Sequence, residues 1–225
     1  MRTHLKEAAR LGWGGARANL LPALALWVVG ITIVLSYHHL EPVTRFLDQV
    51  GRWKVAWTPW FAIVSTAIFG SLIPVLIQRL LLPKKTPMPL RQVGLLALFW
   101  AIMGWEIDLL YRTQSHLFGD GTDPATIIAK TFADQFIWCP LLAIPQTVLG
   151  YLFIEKSGSF AACRAALRRK DFLHRAIPLL IATWAVWIPA VSLVYLFPPS
   201  LQLPLMNIIL SLWSLVLTFF AKNAD

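Results

Sequence analysis

The sequence predicts an all-α integral membrane protein, a polytopic bundle of about six apolar spans, several of them bent at prolines. Three observations carry this prediction. Of the 225 residues 57% are hydrophobic and only 14% are charged, whereas an ordinary soluble domain carries about 25% charged residues. The apolar residues form six long runs without a strand period, which disfavours a β-barrel. The basic residues alternate in number between the segments that connect these runs.

Each apolar run is long enough to cross about 30 Å of hydrocarbon as a helix. The runs cover residues 20–37, 57–82, 93–110, 136–153, 176–197 and 201–221. A basic segment precedes the first run, as in a signal peptide, but the run is long for a signal core and no small-x-small cleavage site follows it. We therefore expect a retained anchor. Alternatively, the acid-poor, Arg-bearing start of the chain resembles a mitochondrial targeting segment.

Lys and Arg are distributed unevenly between the two sides of a six-span topology. The segments on one side carry four, four, six and one of them, and those on the other side carry three, two and none. This excess predicts that both termini face the cytoplasm, or the corresponding compartment of an organelle. Because topology explains the net charge of +9, we do not expect nucleic-acid binding.

Prolines lie inside several of the apolar runs. Each removes a backbone N–H, so a neighbouring group must supply the missing hydrogen bond where the helix is surrounded by lipid. We expect bends that serve helix packing rather than moving hinges. These prolines are Pro74, Pro140, Pro145, Pro178 and Pro189.

Two carboxylates interrupt the third apolar run, where acidic residues usually face protein or water. Asp108 and Arg112 are four residues apart, so we expect them to pair on one helix face. Glu106 points elsewhere and needs another partner, for which Arg79 at the end of the second run is our candidate. A polar lining and a structural ion pair at the membrane surface both stay open. Tyr111 is expected to be an interfacial anchor, as Tyr and Trp often are near span ends.

The stretch "DQFIWCP" places Asp134 and Gln135 immediately before the fourth apolar run. A carboxylate at a helix N-terminus is favoured by free backbone amides and the helix dipole, so a helix cap is one interpretation. The other is that Asp134 turns inward and pairs with an Arg of a neighbouring helix, either Arg112 or Arg79.

The sequence contains no constellation typical of catalysis or metal binding. The five His residues are scattered, and "GDGTDP" resembles a turn more than a calcium loop. There is no phosphate-binding loop and no nucleophile elbow. The two cysteines, Cys139 and Cys163, form no Cys-x-x-Cys pair. We therefore expect that the protein is not an enzyme and uses no cofactor.

The most basic connecting segment contains "CRAALRRKDFLHR". We expect it to lie along the lipid headgroups as a short helix, because anionic lipid attracts each surface cation by roughly 1 kcal/mol. The alternative is a plain topogenic loop without lipid preference. The candidate headgroup contacts are Arg164, Arg168, Arg169 and Lys170.

Three motifs, "GWEIDLLY", "DQFIWCP" and "FPPSLQLPLMNIILSLWSLVLT", follow one another in the order and spacing of a known family. They resemble, respectively, the Gly-Pro-x-x-His-x-Trp-Tyr element, the Asp-Gln-x-x-x-x-Pro element and the closing signature of the Mpv-seventeen and twenty-two-kilodalton peroxisomal membrane protein family. The resemblance covers about residues 52–222, and "WKV" at residues 53–55 resembles the start of the family. It implies a bundle of residues 52–225, preceded in residues 1–51 by a basic segment and an extra anchor span. The motif positions include Gly104, Pro140, Trp187, Pro189, Pro198, Pro199, Gln202, Asn207 and Trp213.

The chain departs from the family pattern at several positions. Trp105 stands where the family has Pro, Asp108 stands for its His, and Leu110 for its Trp. In the fifth run "WIP" stands for Trp-Pro, and Ser192 and Tyr195 replace a Gln and an Asn. We therefore expect a weaker polar face on the fifth span, which puts a pore function tied to that face in doubt.

The family consists of small integral proteins of peroxisomal and inner mitochondrial membranes, with relatives in bacteria. The resemblance implies a bacterial inner membrane or one of these organellar membranes, and a weakly selective channel or permeability factor for small solutes. The alternative is a non-conducting structural or assembly factor. Expected partners are the lipid bilayer, anionic lipid included, and small solutes, while homo-oligomer formation stays open. The candidate polar path or helix-packing network comprises Arg79, Glu106, Asp108, Tyr111, Arg112, Asp134 and Gln135.

Overall fold

The computed structural model describes residues 20–81, 87–166 and 169–223, with side chains described for residues 24, 26–80, 87–166 and 172–212. All regular secondary structure in these ranges is helical, which confirms the all-α prediction. Two segments have π-helical geometry, the first at Ile68–Leu72 and the second at Ala133–Ala143. The α-helices are α1 (Leu20–His39), α2 (Glu41–Ala56), α3 (Trp60–Ala67), α4 (Ile73–Leu81), α5 (Leu90–Phe118), α6 (Pro124–Phe132), α7 (Ile144–Glu155), α8 (Phe160–Ala166), α9 (Arg169–Val194) and α10 (Pro199–Asn223).

Four continuous helices of the described chain are long and apolar enough to cross a membrane. The first and last apolar runs are also helical, because they lie within α1, which has 20 residues, and α10, which has 25. α1 bends by 102° into α2. Most of the described part of each predicted apolar run is thus helical, while a full count of six spans stays a prediction. The four helices are Trp60–Leu80, Leu90–Phe118, Pro124–Glu155 and Phe172–Val194.

The connecting segments gather at two ends of the bundle in alternating order. At one end, called the α2 end, the ring of Tyr37 packs 5.1 Å from that of Phe197, and Lys54 contacts the C-terminal part of α5. At the other end, called the α8 end, the Gln92 Nε2 donates to the Ser157 Oγ at 3.3 Å. The first, third and fifth connections therefore lie together, opposite the second and fourth, as alternating spans require.

The outer surface of the spans carries large apolar side chains. Leu76, Leu98 and Leu141 are 57%, 58% and 72% exposed, and Val28 of α1 is 64% exposed. A continuous apolar surface of this kind marks contact with a membrane or a partner rather than with water. Together with the long apolar helices, it fits a membrane-embedded protein.

The second π-helical segment arises where a proline removes a backbone donor. In a π-helix the carbonyl of one residue pairs with the N–H five residues later, as the carbonyl of Cys139 does with the N–H of Ile144. The carbonyl of Gln135 would need the N–H of Pro140, which proline lacks. Instead the Trp184 Nε1 of α9 donates to this carbonyl at 2.7 Å.

The first π-helical segment repeats this arrangement. The carbonyl of Phe69 lies five residues before Pro74, and the Ser211 Oγ of α10 donates to it at 2.8 Å. In both segments the replacement donor comes from a helix much later in the chain. The prediction that neighbouring side chains restore the hydrogen bonds lost to proline is confirmed at Pro74 and Pro140.

Trp184→Phe is expected to lower the free energy of unfolding by about 1–3 kcal/mol, because the carbonyl of Gln135 is then buried without a donor. Thermal unfolding in detergent measures the loss. Adding Pro140→Ala supplies a backbone N–H for the carbonyl of Gln135, so the double variant should recover part of the lost free energy of unfolding. The matched control is Trp105→Phe, at an exposed position of α5, which should unfold like the parent. Equal destabilisation by both Trp substitutions would contradict this role of Trp184.

The helix that contains Asp134 begins well before that residue. Asp123 caps α6, because its Oδ1 accepts the backbone N–H groups of Ala125 and Thr126, each at 3.1 Å. The Thr126 hydroxyl and these backbone groups lower the pKa of the Asp123 carboxyl from its usual value. Pro124 occupies the first helical position, where its missing N–H is not needed. Asp134 therefore lies ten residues inside the helix.

Helices α3 and α5 approach each other closely at Gly104. A Cβ at this position would lie 2.4 Å from the carbonyl oxygen of Ala62 and 2.6 Å from the Cβ of Thr66. Since contacts this short do not occur between packed atoms, only a glycine fits. α10 joins the same region, where the Asn207 Nδ2 donates to the Ser65 Oγ at 2.9 Å.

Candidate functional site

A cavity of about 270 Å³, partly open at the surface of the bundle, lies between α5, the second π-helical segment, α7, α9 and α10. Along α5 its lining runs from Trp100 to Tyr111, which is about 16 Å of helix and roughly half the thickness of the hydrocarbon layer. Most of the wall is apolar, with aromatic rings among aliphatic side chains and polar groups at a few points. The aromatic lining residues are Trp100, Tyr111, Trp138, Tyr151 and Trp187, and the carboxylate, amide and hydroxyl side chains besides tyrosine are Asp134, Gln135, Thr147 and Thr183.

The polar end of the cavity is built around the buried carboxylate of Asp134. Its Oδ2 accepts the hydroxyl of Tyr195 at 2.7 Å, and its Oδ1 accepts the Nε2 of Gln135 at 3.0 Å. The ring of Tyr111 packs edge-on against that of Tyr195, with centroids 5.7 Å apart. Both donors to the carboxylate are neutral, and the ion pairs of the described residues do not include Asp134.

Both sequence interpretations of Asp134 are wrong. It is not a helix cap, because the helix starts ten residues earlier. It also has no Arg partner within the described residues. Arg112 instead binds Asp108, and Arg79 lies near the α8 end, where its Nη2 donates to the carbonyl of Met88 at 3.5 Å. Helix packing thus places a tyrosine, and not a guanidinium, opposite the carboxylate.

A series of polar groups connects this end of the cavity with the protein surface. The Lys130 Nζ lies 5.9 Å from the centre of the Tyr195 ring and 3.9 Å from the Oδ1 of Asp120, which is exposed. Lys130 itself is only 1% exposed. The Gln114 Nε2 donates to its carbonyl at 3.3 Å. Sequence reasoning did not identify Lys130, Gln114 or Asp120 as part of the site. Lys130 could have been recognised, because it is a lysine in an apolar setting four positions before Asp134.

Asp108 belongs to a structural ion-pair cluster outside the cavity. The predicted pair is confirmed, since the Arg112 Nε lies 3.0 Å from the Oδ2 of Asp108. The Lys54 Nζ of α2 lies 2.8 Å from the Oδ1, a contact that sequence reasoning missed. The available signal was spacing: Leu47, Gly51 and Lys54 share the buried face of α2. The cluster therefore fastens α2 to α5.

Glu106 and Tyr111 are placed differently from their predictions. The Gln146 Nε2 of α7 donates to the Glu106 Oε1 at 2.9 Å, so the proposed pairing with Arg79 is wrong. The reason is distance along the bundle, since Arg79 lies near the α8 end. Tyr111 is not an interfacial anchor, because it is 3% exposed and lines the cavity.

The fifth span makes polar contacts at both Ser192 and Tyr195, while the expectation that its polar face is weaker than that of the family stays a prediction. The Ser192 Oγ lies 3.1 Å from the Thr131 Oγ1, and the Tyr195 hydroxyl donates to Asp134. Both replaced positions therefore make polar contacts with the helix that carries "DQFIWCP".

Apolar packing separates the cavity from the α8 end. Val75, Leu96 and Ile154 form a buried cluster, and Trp100, which lines the cavity, packs against it. We call these three residues the apolar plug. Towards the α2 end lie the buried rings of Tyr111 and Tyr195, and beyond them the polar series of Lys130 and Asp120.

The remaining motif positions lie mostly at helix contacts. Besides Asn207 and Gly104, the Gln202 Nε2 donates to the carbonyl of Phe197 at 3.1 Å. The side chain of Trp213 lies outside the described ones. The others are Trp187 in the cavity wall, Pro140 in the second π-helical segment, Pro189 inside α9, and Pro198 and Pro199 at the start of α10.

The basic segment after α7 is described in part. Residues Phe160–Ala166 form a short helix, α8, on which Arg164 is exposed, whereas residues 169–175 of the predicted segment begin the long helix α9. Arg168 and the side chains of Arg169 and Lys170 lie outside the described residues, so contact of this segment with lipid headgroups stays a prediction.

No protein-family model matches the chain, and no curated protein and no solved structure matches it. Its function must therefore be inferred from the cavity and the polar end of that cavity, since one helical architecture can serve many functions.

Proposed function

We propose that the protein is a non-enzymatic membrane protein that provides a weakly selective path for small solutes, and that the cavity is where a solute rests on this path. The observation that carries the proposal is the buried pair Asp134 and Gln135 in the wall of this cavity. Ionisable groups inside membrane proteins are costly and typically mark solute or ion pathways.

The two ends of the cavity suit a path that is closed in this structure. On the α2 side, Asp120, Lys130 and Tyr195 lead from the surface towards Asp134. On the α8 side, the apolar plug lies between the cavity and the bundle end. Hydrophobic constrictions close pores by excluding water. Opening would then require the helices that carry the plug, α4, α5 and α7, to separate.

We further infer a distant relation to the Mpv-seventeen and twenty-two-kilodalton peroxisomal membrane protein family. It is supported by the way residues from separate motifs meet, since Tyr111, Asp134, Gln135 and Trp187 line one cavity. On this relation, the membrane is the bacterial inner membrane or a mitochondrial inner or peroxisomal membrane.

Solute release from liposomes tests the proposed path. Vesicles that contain the protein are expected to lose small neutral and charged solutes faster than empty vesicles. Leu96→Ser in the apolar plug should speed this loss several-fold, because a hydroxyl favours water in the constriction. Leu98→Ser, at an exposed position of the same helix, is the matched control and should leave the rate unchanged. Ala143→Leu, which fills part of the cavity, should slow it. No release by either the parent or Leu96→Ser, across several solutes, would overturn the proposal.

A non-conducting structural or assembly factor is the second candidate. It is favoured by Asp108 and Glu106, which join α5 to α2 and α7 through Lys54 and Gln146 and do not line the cavity. The absence of solute release would favour this candidate.

A further inference from the structure

We propose that the cavity binds a small organic ammonium ion, whose cationic group contacts Asp134 and Gln135 and whose apolar body lies against the aromatic wall. The inference rests on the proposed function, because it takes the cavity to be the resting place of the solute. It adds the charge and the chemical class of that solute.

The polar end of the cavity offers acceptors that lack donors. Each carboxylate oxygen of Asp134 accepts one hydrogen bond, from Tyr195 or from Gln135, whereas an ionised carboxylate can accept about four in total. The Oε1 of Gln135 is buried and has no hydrogen-bond partner. An ammonium group carries donors and no acceptor, so it complements this surface better than an alcohol or an acid does.

The charge of the cavity wall also favours a cation. A buried carboxylate is unfavourable unless an opposite charge lies beside it. Among the described residues, the ion pairs do not supply one to Asp134. Lys130, one helical turn before Asp134, does not pair with it. Its Nζ lies near the carboxylate of Asp120 and over the ring of Tyr195 instead. A cationic solute would provide the missing charge, while an anion would add to the imbalance.

The wall beyond Asp134 suits an organic cation more than a metal ion. Trp138 and Trp187 line the cavity, and the faces of indole rings attract ammonium groups within about 6 Å. Hard metal ions such as Ca²⁺ require about six to eight oxygen ligands, more than these side chains present. The volume of about 270 Å³ is close to the lower end of ligand pockets, about 300 Å³. The ligand is therefore small, such as an amine with one ring or a short alkyl chain.

Three probes of similar size but different charge test the inference: 2-phenylethylammonium, 2-phenylethanol and 3-phenylpropionate. Their binding to the full chain in nanodiscs of neutral lipid is measured by tryptophan fluorescence and by thermal shift, with empty nanodiscs as the blank. The ammonium probe is expected to bind about tenfold or more tightly than the alcohol, and the carboxylate probe most weakly.

Substitutions then locate the cationic contact. Asp134→Asn keeps the side-chain shape and an acceptor for Tyr195, and should reduce ammonium binding to the level of the alcohol while alcohol binding stays the same. Glu155→Gln removes an exposed carboxylate from the end of the same long helix and should change neither. Ala143→Leu should weaken both. If Asp134→Asn does not fold, Trp138→Leu replaces it, and this variant should weaken ammonium binding more than alcohol binding.

The outcomes separate this inference from the proposed function. Equal affinities for ammonium and alcohol, or ammonium binding that survives Asp134→Asn, would overturn the cation site. Solute release in liposomes without ammonium binding would overturn the inference and leave the path standing. Asp134-dependent ammonium binding without solute release would instead overturn the path and support a closed binding site.

Discussion

Lys54→Met is expected to lower the free energy of unfolding by about 3–5 kcal/mol, because it leaves a buried carboxylate without its buried counter-ion. Asp108 is fully buried and Lys54 nearly so, with 2.8 Å between the charged atoms. The remaining partner, Arg112, has a half-exposed side chain and cannot enclose the carboxylate alone. For a chain of this size the melting temperature should fall by roughly 10 °C, measured by thermal unfolding in detergent.

Two further variants show whether the buried charge is the cause. Arg45→Met breaks the pair of Arg45 with Glu41, in which both side chains are exposed, and should cost below about 1 kcal/mol. The double variant Lys54→Met with Asp108→Asn removes both buried charges and should recover much of the loss. If the loss of stability in the double variant instead equals the sum of the losses in Lys54→Met and Asp108→Asn, the two charges do not interact. Lys54 would then act through packing alone.

Gly104→Ala is expected to destabilise the protein by about 3 kcal/mol, near the upper end of the usual range for overpacking. The added Cβ would meet the backbone oxygen of Ala62 at 2.4 Å. A backbone atom cannot rotate away as a side chain can, so α3 and α5 would have to move apart. The loss of chymotrypsin resistance and of melting temperature in detergent both measure this effect.

Gly94→Ala is the matched control on the same helix. A Cβ at Gly94 meets no atom within 4 Å, so alanine should raise stability by about 0.5–1 kcal/mol through its better helix propensity. If Gly104→Ala raised stability as well, the close approach of α3 and α5 would be shown to relax without penalty.

The helical spans could be predicted because their cause is local. A run of about 20 apolar residues satisfies its backbone hydrogen bonds within itself, and in lipid few other structures do so. The pairing of Asp108 with Arg112 is local in the same sense, since residues four apart share a helix face. Proline chemistry likewise predicted that the bonds lost at Pro74 and Pro140 need a neighbour.

The surroundings of Asp134 could not be predicted, because hydropathy misplaced the start of its helix. Residues 124–135 contain several polar side chains and therefore do not form a continuous apolar run. Hydropathy for this reason assigns them to a connecting segment and not to the helix. The cap at Asp123 and the burial of Lys130 instead make them part of the helix. Because the start of the helix was predicted ten residues too late, the buried carboxylate of Asp134 was interpreted as a helix cap.

The sequence by itself determined an all-α fold, the positions of its apolar helices and the carbonyl groups that prolines leave without a backbone donor. Only the tertiary structure decided which side chains meet. Tyr195 reaches Asp134 across 61 residues, and Trp184 reaches the carbonyl of Gln135 across 49. Spacing along a helix fixes which residues share a face, but the rotation of each helix and the identity of its neighbour are set by the packing of the whole bundle.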